Sequence, residues 1–160
     1  MTISSTSSLT GPTIRVQSGD FDLQVEVSLL TKGTPGIGAI VTFSGLCRDE
    51  GGTLAALELE HYPGMAEAEM TRIATRAIER FGLLGLTVIH RYGTIAAGEN
   101  IVLVIAAAPH RQAAFDGASF VMDFLKTAAP FWKKEHGKDG SSGAWITAKD
   151  ADDTARDKWK

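Results

Sequence analysis

Only one cysteine, Cys47, occurs among the 160 residues. That excludes an intramolecular disulfide and a cysteine-built zinc cluster. Excess basic charge is also missing: 16 Lys and Arg stand against 19 Asp and Glu, giving a formal net charge of -3 and a pI of about 5.8. No global positive field therefore draws the chain to nucleic acid or to an anionic membrane, and any anion site must be local. Apolar runs such as residues 101–109 fall far short of the ~20 residues of a membrane span. The opening MTISSTSSLTGP has no basic region and no apolar run, so residues 1–12 are expected to be a disordered tail rather than a signal peptide. Residues 13–160 are expected to form a single domain, and the setting to be cytoplasmic. No Walker loop, GxGxxG, HExxH or GxSxG occurs, which leaves nucleotide-binding and hydrolase readings without a motif. No metal site is visible, and no cofactor is called for.

What is present is strong patterning. FDLQVEVSL alternates Phe21, Leu23, Val25, Val27 and Leu29 with polar residues, which is strand periodicity. GAIVTFSGLC is apolar on both faces and reads as a buried central strand. The glycines of DEGG, followed by alternation in LAALELEHY, suggest a hairpin with one wet face. From Met65 the period becomes helical, with Met70, Ile73, Ala74, Ala77, Ile78 and Phe81 on one side and Gly82 as a stop. LTVIHRYG and NIVLVIAAA are two further strands. A second helix begins near Gln112, with Ala114, Phe115, Ala118, Val121, Met122 and Leu125 as its apolar stripe. Pro130 should end or kink it, because the ring clashes with the carbonyl of Lys126. A polar GKDGSSG loop, a short WITA strand and a charged tail follow. This mixture of helices and hairpin-like strands is an α+β pattern.

Several residues are candidates for chemistry. Lys126 lies at the edge of the apolar stripe, and Lys133 follows seven residues later across the proline. The two either converge on an anion pocket or complement the helix dipole as solvated cations. His110 and Arg111 sit at a strand-to-helix turn, where free N–H groups favour phosphate or carboxylate, though a solvated loop pair is an equal reading. Arg48 leaves the sheet at a strand end. Glu60 and His61 alternate onto opposite faces, which argues against a direct acid–base dyad. His90 reads as a sheet histidine, and nothing supplies a base for Cys47.

Five of these stretches, GAIVTFSGLCRDE, LELEHYPGM, VIHRYG, APHRQAAF and LKTAAPFWKKE, occur in an order and spacing that resembles the large catalytic subunit of molybdopterin synthase. The resemblance runs from about Gly36 to the C-terminal tryptophan. It implies an α/β hammerhead-like domain with an additional antiparallel β subdomain, and for Phe21 to Leu29 a short strand followed by a helix. It implies sulfur transfer from the C-terminal Gly-Gly thiocarboxylate of a small ubiquitin-like subunit to cyclic pyranopterin monophosphate, forming a dithiolene. It further implies a homodimer of large subunits within a heterotetramer. Lys126 and Lys133 match the lysines regarded as catalytic. Arg48, His110, Arg111, Lys134 and Glu135 match substrate-binding positions, with the His110–Arg111 pair supplied partly by the other protomer. Lys149 stands where relatives carry arginine. A non-catalytic module that docks the partner's tail is the competing reading, and a phosphate-binding regulator is a third.

Overall fold

The computed structural model describes residues 11–128, 130–146 and 155–159. The tail expected over residues 1–12 therefore lies almost wholly outside the described residues. So do Lys149 and the second half of the WITA stretch, Thr147 and Ala148.

Two sheets of different size organise the chain. The larger has the order β1-β4-β6-β2, formed by Thr13–Gln17 (β1), Gly85–Arg91 (β4), Asn100–Ala108 (β6) and Ala39–Leu46 (β2). β1 runs parallel to β4, and the other two pairings are antiparallel. The smaller sheet has the order β5-β3-β7, formed by Gly93–Ala96 (β5), Leu54–His61 (β3) and Phe131–Gly137 (β7), and is wholly antiparallel. Helices Met65–Phe81 (α2) and Arg111–Ala128 (α3) pack together over the larger sheet. This is the expected α+β class with its added antiparallel sheet.

The main core lies between those helices and the larger sheet. Met70, Ile73, Ala74 and Ala77 of α2 meet Ala114, Ala118, Val121 and Leu125 of α3 over Val88, Val104 and Ala106 of the strands. Helical spacing thus predicts the buried faces well, with two exceptions on α3. Phe115, expected in the stripe, is 58% exposed, while Phe120 is 1% exposed and packs edge-on against Phe81 and Trp159. α2 stops at Gly82, which takes the left-handed conformation.

Three local expectations are corrected. Phe21 to Leu29 is not one strand: Leu23–Thr31 is a helix (α1), as the family resemblance implies. Asp22 caps it, its Oδ1 accepting the Val25 N–H at 3.0 Å. Phe21, Val27 and Leu30 are partly buried, on Ile89, Leu103 and Ile105, whereas Leu23, Val25 and Leu29 stay exposed. The alternation thus included residues that do not share the buried face. GAIVTFSGLC is an edge strand rather than a central one, and Ile40, Phe43 and Leu46 are exposed on it. Nor does it form a hairpin with β3. Gly51 and Gly52, at φ 74° and 76°, turn the chain out of the larger sheet and into the smaller one.

Candidate functional site

The chain breaks its last long helix at Pro130 and returns at once as β7, paired with β3. FWKKEHG carries no apolar alternation, so this strand is not legible by periodicity. Its register nevertheless sorts the side chains. Leu59 faces Lys133 and Leu57 faces Glu135 on one side, while Glu58 faces Lys134 and Ala56 faces His136 on the other.

The first side borders a cleft of ≈ 960 Å³. Lys126 reaches it from the last turn of α3, Lys133 and Glu135 from β7, and Arg48 from the segment beyond β2. Leu54, Leu57 and Ile101 supply apolar lining. Pro130 therefore terminates the helix rather than kinking it. The two lysines meet because a helix end and a strand start border the same space.

The rim is tied together by charge. Asp49 Oδ1 accepts the Leu54 N–H at 2.9 Å and Oδ2 accepts from Lys138 Nζ at 2.8 Å. The Lys138 bond and then the Leu54 amide hold the Asp49 carboxyl below its usual range. Lys138 also donates to the Gly52 carbonyl at 3.0 Å, fixing the loop after β7 against the turn before β3. Arg48 is open to solvent, with Glu50 at 3.1 Å as a partner.

Beneath the cleft, Cys47 is buried against Leu54, Leu59 and Ile95. Burial pushes its thiol up, away from the thiolate a nucleophile needs. His90 lies at the seam between the sheets, its ring stacked on Phe131 at 3.8 Å. Its Nδ1 is 2.8 Å from the Arg91 carbonyl, to which an Nδ1–H donates. Desolvation dominates and lowers its pKa to about 4, against the opposing hydrogen bond, and the neighbouring charges of His61 and Lys126 add to the lowering. A neutral imidazole thus sits near the Lys126 ammonium.

The other candidates lie elsewhere. Lys134 faces away from the cleft, its Nζ 5.4 Å above the Trp145 ring. His110 and Arg111 are exposed at the opposite end of α3 from Lys126. Fifteen helical residues separate Arg111 from Lys126, about 22 Å at the helical rise. A small ligand in the cleft of one chain does not reach that pair in the same chain. Asp49, at the end of GAIVTFSGLCRDE, and Lys138, in the GKDGSSG loop, are not marked as site residues by any sequence signal.

A cleft lined by lysines and an arginine is suited to anions and to oxygen atoms that gain negative charge. The "MoaE protein" family model matches residues 16–128. The chain belongs to this family. It is 68% identical over 147 residues to a protein of Rhizobium meliloti named molybdopterin synthase catalytic subunit, a match spanning 92% of this chain and 95% of that protein. Among solved structures, the molybdopterin biosynthesis MoaE protein from Burkholderia ambifaria is 45% identical, with a TM-score of 0.80 and coverage of 92% of this chain and 97% of that one. A molybdopterin synthase from Staphylococcus aureus superposes with a TM-score of 0.74 at 26% identity, covering 82% of this chain and 94% of that one. Among the described residues, no helix is long and apolar enough to cross a membrane.

Proposed function

We propose that the chain acts as the catalytic subunit of a cytoplasmic molybdopterin synthase, moving sulfur from a small subunit's C-terminal thiocarboxylate to cyclic pyranopterin monophosphate. The observation that carries this reading is the meeting of Arg48, Lys126 and Lys133, from three distant parts of the sequence, around one cleft. The thiocarboxylate sulfur bonds to a side-chain carbon of the pterin as that carbon's bond to the cyclic phosphate oxygen breaks, the oxygen leaving as part of the opened phosphate monoester. Water then attacks the acyl carbon, the acyl C–S bond breaks, and the carrier leaves as a carboxylate with sulfur retained on the pterin. Negative charge gathers on the acyl oxygen at that step, and a fixed ammonium stabilises it without reorganisation. Lys126 and Lys133 take this role, while Arg48 holds the anionic substrate. Glu135 borders the same cleft and orients these cations.

His110 and Arg111 bind the substrate phosphate from a second copy of the chain. The 22 Å gap along α3 supports this assignment, as do the exposed Ile40, Phe43 and Leu46 of β2, apolar residues on an unpaired sheet edge where a second copy can cover them. Lys134, turned toward Trp145, contributes to docking the partner rather than to the pterin.

The test is a single-turnover assay with the thiocarboxylated small subunit and the cyclic substrate. Lys126→Ala and Lys133→Ala should each lower the dithiolene yield rate by at least about 10²-fold, as for loss of one preorganised donor. A mixture of Arg111→Ala and Lys126→Ala chains should recover activity through hybrid dimers. Tight partner binding without product from the unaltered chain would instead leave a docking module.

A further inference from the structure

Glu58 and His136 on the reverse side of β7, with Ser142 at the border of the cleft, form an arrangement to which the sulfur-transfer reading gives no role. His136 lies on that side, diagonal to Glu58 across the β3–β7 ladder. Its Nε2 is 2.8 Å from Glu58 Oε2, and its Nδ1 is 3.1 Å from the Ser142 hydroxyl. An ionised carboxylate only accepts, so Glu58 places the ring proton on Nε2. Nδ1 is then left as an acceptor for the Ser142 O–H. A hydroxyl, an imidazole and a carboxylate are joined in the sequence that activates a serine.

We propose that Ser142, His136 and Glu58 form a second reactive site, which accepts acyl groups from small activated esters and thioesters. The main chain holds the three parts in place. Ser142 and His136 form a β-bridge, and the Ser142 turn is closed by Gly137 N–H to Ser141 O at 2.9 Å and Gly143 N–H to Glu135 O at 2.9 Å. Ser142 is exposed, and the side chains of His136 and Glu58 are 30% and 32% exposed, which leaves the hydroxyl open to an incoming acyl carbon. Nearby on the same segment, Trp145 is 43% exposed with the Lys134 ammonium over its ring, an apolar platform beside a cation. That pairing fits an acyl chain with an anionic leaving group.

The chemistry balances without a further reagent. Ser142 Oγ gives its proton to His136 Nδ1 and bonds to the acyl carbon. The ester or thioester bond breaks, and the departing alkoxide or thiolate takes the proton from Nδ1. Water then repeats the sequence, releasing a carboxylic acid and restoring the serine. This site does not depend on the sulfur-transfer reading, because its residues act without the small subunit.

The test treats the full chain with a fluorophosphonate probe and locates the adduct by peptide mass. One adduct is expected, on Ser142, absent in Ser142→Ala. His136→Gln should slow labelling by about 10²-fold, the usual scale of general-base assistance, and Glu58→Gln should slow it in the same direction. Hydrolysis of p-nitrophenyl acetate should fall in parallel. Labelling of Ser141 as fast as Ser142, or an unchanged rate in folded His136→Gln, would overturn the proposal. If His136→Gln does not melt like the parent chain, Glu58→Gln takes its place, and an unchanged rate there overturns it equally.

Discussion

The two sheets differ in what surrounds them. In β6 of the larger sheet, seven successive residues from Val102 to Ala108 are buried, with helices against one side and α1 against the other. In β7 of the smaller sheet no residue is fully buried, and one side borders the cleft. The larger sheet is a dry layer that holds apolar area out of water, which is the main source of folding stability. The smaller sheet is a wet ladder whose stability depends on backbone pairing, on the Asp49–Lys138 tie and on a satellite core around Leu59 and Ile95. Its side chains are consequently available for chemistry. Stability and activity should therefore separate by sheet.

The largest expected stability effect tests the dry layer. Phe120 is 1% exposed and touches Phe81, Phe124 and Trp159, with ring centroids 5.6, 4.6 and 5.6 Å away. Truncation to alanine should cost about 3–5 kcal/mol by lost transfer energy and the cavity left behind. Urea unfolding measures this directly. Lys133→Ala on the wet ladder should move the midpoint little while removing sulfur transfer. A loss of several kcal/mol for Lys133→Ala would mean that the two layers are not separable in this way.

The same division explains what could be read from the chain. α2 and α3 are legible because one face of each is buried, so apolar residues recur at helical spacing. β6 is legible because both faces are covered. β7 is not, because Lys133 and Glu135 face a cleft and Lys134 and His136 face the reverse side, leaving no apolar alternation. β2 misled for the opposite reason. It carries apolar residues on both faces, which reads as central, yet it is an edge strand with Phe43 and Leu46 exposed. Apolar pattern reports which residues favour burial, not whether the chain's own fold covers them. Lys126 and Lys133 could be named from sequence. Their meeting in one cleft depended on a helix stop followed at once by a strand, which the proline signalled only in part.

A smaller effect is expected at the seam. His90 drops from an ordinary value of 6.5 to about 4 in the folded chain, chiefly by desolvation. The unfolded chain therefore binds the proton more readily between those values, and protonation favours unfolding there. The stability associated with neutral His90 is present above about pH 6.5 and is lost as pH falls toward 4, by up to about 3 kcal/mol at roughly 1.4 kcal/mol per unit. His90→Phe keeps a ring against Phe131 and removes the titration. Its melting temperature should fall less than the parent's between pH 6.5 and 4. Parallel curves for the two chains would place the acid sensitivity in other groups.

The smallest effect is expected at Cys47, where the two layers meet. The residue borders the satellite core beside Leu54 and Leu59, and its main chain is bonded on both sides: its N–H donates to the Glu99 carbonyl at 2.8 Å, and its carbonyl accepts from the Gly98 N–H at 2.6 Å. The backbone bonds survive substitution, so Cys47→Ala removes only the sulfur and its packing. That should cost about 1 kcal/mol, as for other small buried deletions. A raised thiol pKa leaves little thiolate at neutral pH, and the sulfur in the proposed reaction arrives on the partner. The single-turnover rate of Cys47→Ala should therefore match the parent within about twofold, well under the 1.4 kcal/mol that a tenfold change represents. A tenfold loss at unchanged stability would make the thiol a participant in the transfer, and the cleft lysines its electrostatic support.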